Sequence, residues 1–247
     1  WLTKGNTDVT HPVKLFYDTA SGSGGYLNSI PGGGGAFPVG GTALSDLGSY
    51  AWTVPDAVGS SRRVRIKASA DTTNTVYDDM TSDFTIRGKI DQLVPSANGV
   101  VYDYNTPIAI SWYNHGTLGA MTVKFDNGST VAPIKNLVTT TANATNSWTW
   151  QTGETGFPPA VGATYKIKVE QDSDAANVFV ASANNFKVKG VLTLSAPNAD
   201  GIWARVGETP TITWTKNPPG FADGQLELYY STTGATTCGD ASWTSIA

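Results

Sequence analysis

Cysteine is nearly absent: Cys238 is the single one in 247 residues, so no disulfide can close within the chain and any fold must be held by apolar burial. It sits in a Thr-Thr-Cys-Gly-Asp loop, which leaves a free thiol, an intermolecular bridge, a partner beyond Ala247 or an incidental loop residue all open. Histidine is scarce as well, with only His11 and His115. No His-Glu-x-x-His, Gly-x-Ser-x-Gly, phosphate-loop or paired-Cys zinc spacing occurs, and nothing in the sequence points to catalysis. Charged residues make up 15% and the net charge is −4, too little basic charge for nucleic acid. No run approaches the ~18 apolar residues of a membrane-crossing helix. Helical periodicity is missing over any three turns, and the glycine runs at 22–25 and 32–35 read as loops, since neither lies between a strand and a helix.

What the chain has instead is self-similarity. Phe84/Phe186, Gly88/Gly190, Pro95/Pro197, Gly99/Gly201, Ile110/Ile212 and Trp112/Trp214 are all separated by 102 positions. A second register relates Trp1/Trp214, Val13/Leu226 and Leu15/Leu228 at 213 positions. A constant period of this size marks a tandem array. It divides the chain into a partial unit at 1–88 that lacks its opening strands, a complete unit at 89–189, and a partial unit at 190–247 that lacks its closing strands. The sequence therefore reads as a window from a longer protein.

Within the complete unit the pattern is β throughout. Ile90 to Val94 is a short apolar strand, and Ile108, Ile110 and Trp112 alternate onto one face. Met121, Val123 and Phe125 do the same before an Asp126-Asn127-Gly128 turn. Ser147 to Trp150, Thr164 to Glu170 with Tyr165, Ile167 and Val169 inward, and Val178 to Val180 leading into Phe186 to Val188 complete about seven strands, the count of a sandwich. Gly88 and Gly190 punctuate short junctions, where a glycine with φ > 0 would let the chain bend and leave a semi-rigid rod.

Several segments carry a family resemblance: the turn from Pro197 to Gly201, Ile212-Thr213-Trp214, Leu226-x-Leu228-Tyr229-Tyr230-Ser231, Trp243-Thr244-Ser245-Ile246 and Ser49 to Pro55, with Asn146 to Trp150 similar but lacking the proline. The chain resembles the tandem Ig-like and fibronectin-type-III-like repeats of large bacterial cell-surface proteins. The resemblance implies an all-β fold of tandem Ig-like antiparallel β-sandwiches, one complete and two partial. It places Trp52, Trp112, Trp150 and Trp214 in cores between sheets.

The expected function is structural and non-enzymatic: a repeat region of a fibre, stalk, surface layer or adhesin, extracellular or on the cell surface, with copies of itself or neighbouring repeats as partners. The alternative is a carbohydrate-binding or accessory module of a secreted enzyme, with Trp148 or Trp203 stacking on a glycan. No cofactor is expected. Asp78, Asp79, Asp83, Asp172 and Asp174 are the carboxylates that could gather a Ca²⁺ ion, although turns are commonly built from the same residues. Asn127 and Asn143 fit the N-glycosylation acceptor, and strands of one chain could also complete the sandwich of another.

Overall fold

A computed structural model describes residues 13–30, 50–68, 73, 75–199, 201–202, 204–219, 226–232 and 243–246. The fold is all-β, with one short 3₁₀ turn among the described residues, at Asp172–Asp174. The first stretch contains β1 (Val13–Asp18), β2 (Asn28–Ser29), β3 (Gly59–Ala68), β4 (Tyr77–Asp79) and β5 (Phe84–Ile86). The middle stretch contains β6 (Lys89–Val94), β7 (Val101–Asp103), β8 (Ile108–His115), β9 (Gly119–Asp126), β10 (Val131–Thr139), β11 (Ala144–Trp150), β12 (Gly162–Gln171), β13 (Phe179–Ala181) and β14 (Phe186–Lys189). Then follow β15 (Val191–Ala196), β16 (Thr213–Asn217), β17 (Leu228–Ser231) and β18 (Trp243–Ile246).

The middle stretch is a two-layer sandwich. One sheet runs β11-β8-β6; the other runs β10-β9-β12-β14-β7, with β13 also on β12 and only the β14–β7 pair parallel. Alternation along β8 turns Ile108, Ile110, Trp112 and Asn114 inward, and along β12 it turns Tyr165, Ile167 and Val169 inward to meet them. Met121 and Val123 of β9, Trp150 of β11 and Phe186 of β14 fill the same core. Burying such a side chain contributes about 1.5–3 kcal/mol before the entropy of ordering it. Asn114 continues the inward row yet is fully buried, so its polar atoms need partners. Its Nδ2 donates to the carbonyls of Gly116 at 2.6 Å and Thr141 at 2.9 Å, and its Oδ1 accepts from Asn146.

Two strands of this sandwich, β7 and β10, were not expected from the pattern, making nine rather than about seven. β6 also departs from simple alternation: Ile90 and Leu93 are both buried although three apart. A bulge between Asp91 and Val94 accounts for it, with Gln92 at φ 54 supplying the extra residue that turns Leu93 inward and leaves Val94 exposed.

The pairing of the middle stretch recurs on either side. On β9–β12, Asp126 to Met121 pair with Lys166 to Gln171; on β1–β3, Asp18 to Val13 pair with Arg63 to Ala68, each strand shifted as a block. Gly59↔Ile86 and Arg62↔Phe84 on β3–β5 match Gly162↔Val188 and Tyr165↔Phe186 on β12–β14, with the same register shift between the two pairs. Lys89↔His115, Ile90↔Asn114 and Asp91↔Tyr113 on β6–β8 match Val191↔Asn217, Leu192↔Lys216 and Thr193↔Thr215 on β15–β16, 102 positions later.

Burial does not recur with the pairing. The sheet β2-β1-β3-β4, with β5 on β3, buries Leu15 and Ile30 and packs Tyr17, Tyr50, Trp52, Val64 and Ile66 against them, around an apolar hollow of about 340 Å³. None of the described residues beyond 189 is buried. Two expectations change accordingly. Trp214 is 39% exposed rather than in a core, because β15–β16 is a two-stranded ladder with no buried layer among the described residues. Trp52 does pack, 5.4 Å from Tyr17 and edge-on to Phe84 at 6.2 Å, but from an irregular segment and not a strand.

Candidate functional site

The expected carboxylates do not converge. Asp79 accepts from Arg65 Nε and a second guanidinium nitrogen at 2.6 and 2.8 Å, and Arg65 itself lies 4.2 Å from the Tyr26 ring and 4.1 Å from the Tyr77 ring. Asp78 is exposed and accepts from the Asp79 amide at 3.1 Å. Asp83 accepts from Ser21 Oγ at 2.7 Å and Arg63 Nε at 2.6 Å, which hold its carboxyl below the ordinary range. Asp172 accepts from Thr122 Oγ1 at 2.7 Å. Asp174 accepts from Asn177 Nδ2 at 2.6 Å and Arg87 Nε at 2.8 Å, and these two contacts lower its pKa. Arginine thus supplies the positive charge at Asp79, Asp83 and Asp174. Among the described residues no group of three or more His, Cys, Asp or Glu side chains is gathered as a metal site requires.

Trp148 is half-buried on the same face of β11 as Trp150 and packs against the core. Its Nε1 donates to Glu154 Oε1 at 3.2 Å, while Lys135 Nζ stands 5.4 Å from the ring centroid and bonds the same carboxylate at 3.2 Å. One face of the indole therefore carries a cation. Trp203 and Cys238 lie outside the described residues. Asn127 is exposed in the β9–β10 turn, where its Oδ1 accepts from the amides of Ser129 at 3.0 Å and Thr130 at 2.8 Å. Asn143, exposed at φ 52, accepts from the Gly116 amide at 3.3 Å through Oδ1 and from Tyr113 Oη at 2.9 Å through its carbonyl.

The most organised polar geometry lies elsewhere, where β5 passes through Gly88 into β6. Asp56 precedes β3, and its Oδ1 accepts from the Thr117 amide at 2.8 Å while Oδ2 accepts from Thr117 Oγ1 at 2.7 Å. Thr117 belongs to the β8–β9 turn of the sandwich. Hydrogen bonds to charged groups contribute about 1.5–3 kcal/mol, and the exposure of this carboxylate to water holds the contact toward the lower end. On the other side Arg87 reaches Asp174 after β12. Between them Gly88 is in close contact: a Cβ there would run into Leu118 and lie 2.8 Å from the His115 carbonyl oxygen.

Gly88 therefore serves a different purpose from the one its position suggested. Its φ lies outside the left-handed region, and what requires glycine is the close approach of the chain to the β8–β9 turn. Two grooves, of about 240 and 380 Å³, flank this joint and share Val58, Ile86 and Arg87. His115 borders the smaller one and pairs with Asp91 Oδ2 at 3.0 Å, where Lys89 also bonds at 2.7 Å.

Sequence reasoning singled out Gly88 and Asp174 but not Asp56, Arg87 or Thr117, because the partners are 61 and 87 residues apart and no local pattern announces them. The signal available was the shortness of the junction itself. Comparison with protein-family models and with curated proteins finds no match for this chain.

Proposed function

We propose that the chain is a non-catalytic structural repeat region of a long extracellular or cell-surface protein, built from tandem Ig-like sandwiches. The observation that carries this reading is the recurrence of ladder register, including the register shifts beside Gly59 and Gly162 and those in β6 and β15. Repetition of one pairing scheme is how a chain gains length without a new fold.

A second feature supports the Ig-like assignment. Tyr165, at the start of β12, donates its hydroxyl to the Ala160 carbonyl at 2.7 Å, five residues upstream, as a tyrosine corner does. At the matching place on β3, Arg62 Nε donates to the Ala57 carbonyl at 2.6 Å, so a different side chain closes the same corner. The strand order, with β11-β8-β6 facing β10-β9-β12-β14-β7, also suits an Ig-like or fibronectin-type-III-like sandwich.

The test is protease shaving of intact source cells with mass spectrometry of the released peptides. Peptides of this chain released without lysis are expected. Their appearance only after lysis would sink the cell-surface reading.

A further inference from the structure

We infer that the array is deliberately uneven in stiffness: the joint at Gly88 is locked by a side-chain clamp, and the next joint, at Gly190, lacks that clamp. This inference rests on the repeat reading above, but not on where the protein is located.

Register transfers each part of the first joint to the second. Gly59 and Gly162 are matched by the ladders, so Asp56 corresponds to Pro159. His115 and Asn217 are matched likewise, so Gly116 and Thr117 correspond to Pro218 and Pro219. The first joint holds Asp56 against the amide and hydroxyl of Thr117. Its counterpart offers a proline at both places, with no carboxylate to accept, no N–H and no hydroxyl to donate. Arg87, which bonds Asp174 across the first joint, corresponds to Lys189, and Lys189 instead pairs with Asp103 inside the sandwich at 3.2 Å. Leu118, the buried apolar group against which Gly88 rests, corresponds by sequence to Gly220, which lies outside the described residues.

The Asp56–Thr117 contact of the first joint therefore has neither partner at the second, and the cation at the place of Arg87 is engaged within its own unit. Neighbouring units joined by a small polar contact move relative to one another unless something fixes them. Asp56 and Arg87 fix the first joint from opposite sides of Gly88, and with both in place rotation about that glycine must break one or the other.

Pulsed-electron-spin distance measurement on the full chain tests this directly. In a Cys238→Ser background, one label pair (Ser82→Cys with Ser129→Cys) spans the first joint, and another (Ser129→Cys with Thr215→Cys) spans the second; all three label sites are exposed. The expected result is a narrow distribution across the first joint and one about twofold broader across the second, as free hinge motion implies. Asp56→Ala with Arg87→Ala should broaden the first to match the second. Equal widths in the parent, or a first-joint width unchanged by the double substitution, would overturn the inference. The thermal midpoint of the sandwich should stay constant, so broadening accompanied by unfolding also counts against it. Surface location plays no part in this readout, so a failure here leaves the cell-surface reading standing, and the reverse holds.

Discussion

Replacing Trp150 with alanine should come close to unfolding the sandwich, while the same change at Trp214 should matter little. Trp150 has no exposed surface; Phe125 lies 4.9 Å from its ring and Phe157 meets it edge-on at 5.8 Å. Its Nε1 donates to the Thr155 carbonyl at 2.9 Å, a contact that water can replace because Thr155 is exposed. The loss is therefore mainly transfer and cavity energy, about 3–5 kcal/mol for a fully buried aromatic. A domain of this size has only about 5–15 kcal/mol of stability to lose. With a urea dependence of about 1–3 kcal/mol per molar, the midpoint should fall by roughly 1–5 M, about 2 M at the middle of both ranges. Trp214 is 39% exposed, so its replacement should cost less than about 1 kcal/mol. Amide hydrogen exchange in urea, read on peptides spanning Tyr165 to Gln171, reports the middle sandwich without relying on the fluorescence of the deleted tryptophan. Trp150→Phe should fall between the two. Equal losses at both positions, or a loss under about 1 kcal/mol at Trp150, would refute the account of where the core lies.

Three further outcomes follow from the same packing. Ser182 is buried, and its Oγ donates to the Pro95 carbonyl at 2.7 Å while accepting from the Ile167 amide at 3.1 Å; Ser182→Ala should cost about 1–3 kcal/mol in the same exchange assay, and a neutral result would mean these groups find other partners. Burial alone would raise the Glu170 pKa, but hydrogen bonds from Lys124 and Lys168 outweigh it and hold the carboxyl below its usual 4.5. A depressed carboxylate stabilises the fold above its unfolded pKa and loses that contribution as pH falls through the folded value, so stability should drop in acid, and Glu170→Gln should flatten that drop. An unchanged acid profile in Glu170→Gln would contradict the assignment. Tyr165→Phe removes the corner bond to Ala160 and should lower sandwich stability by about 0.5–1.5 kcal/mol by urea titration, whereas no change would show that the hydroxyl does not hold the corner.

The inward rows of the sandwich were legible because strict alternation leaves little choice: Ile108, Ile110 and Trp112, or Tyr165, Ile167 and Val169, can all be buried only on a strand. β10 was hidden because Val131 to Thr139 includes Pro133, exposes Val131 and Val138, and shifts register between Pro133 and Lys135, which erases a two-residue period. β7 was hidden because Val101-Tyr102-Asp103 is short, carries a charge and leaves its two outer residues exposed, so it shows no apolar row. Trp214 does not share the burial of Trp112, because a ladder position fixes which residue a strand faces and not whether a second sheet covers it. The joint was illegible for a further reason. Asp56, Arg87, Thr117 and Asp174 are ordinary polar loop residues until the fold brings them together.

The most direct test of the central claim, that this is a repeating structural array, is electron cryo-microscopy of the native assembly from its source. The account predicts beads repeating along an axis at roughly 35–45 Å, the length of a sandwich built from strands of ordinary rise. A solitary compact particle with no axial repeat would contradict it.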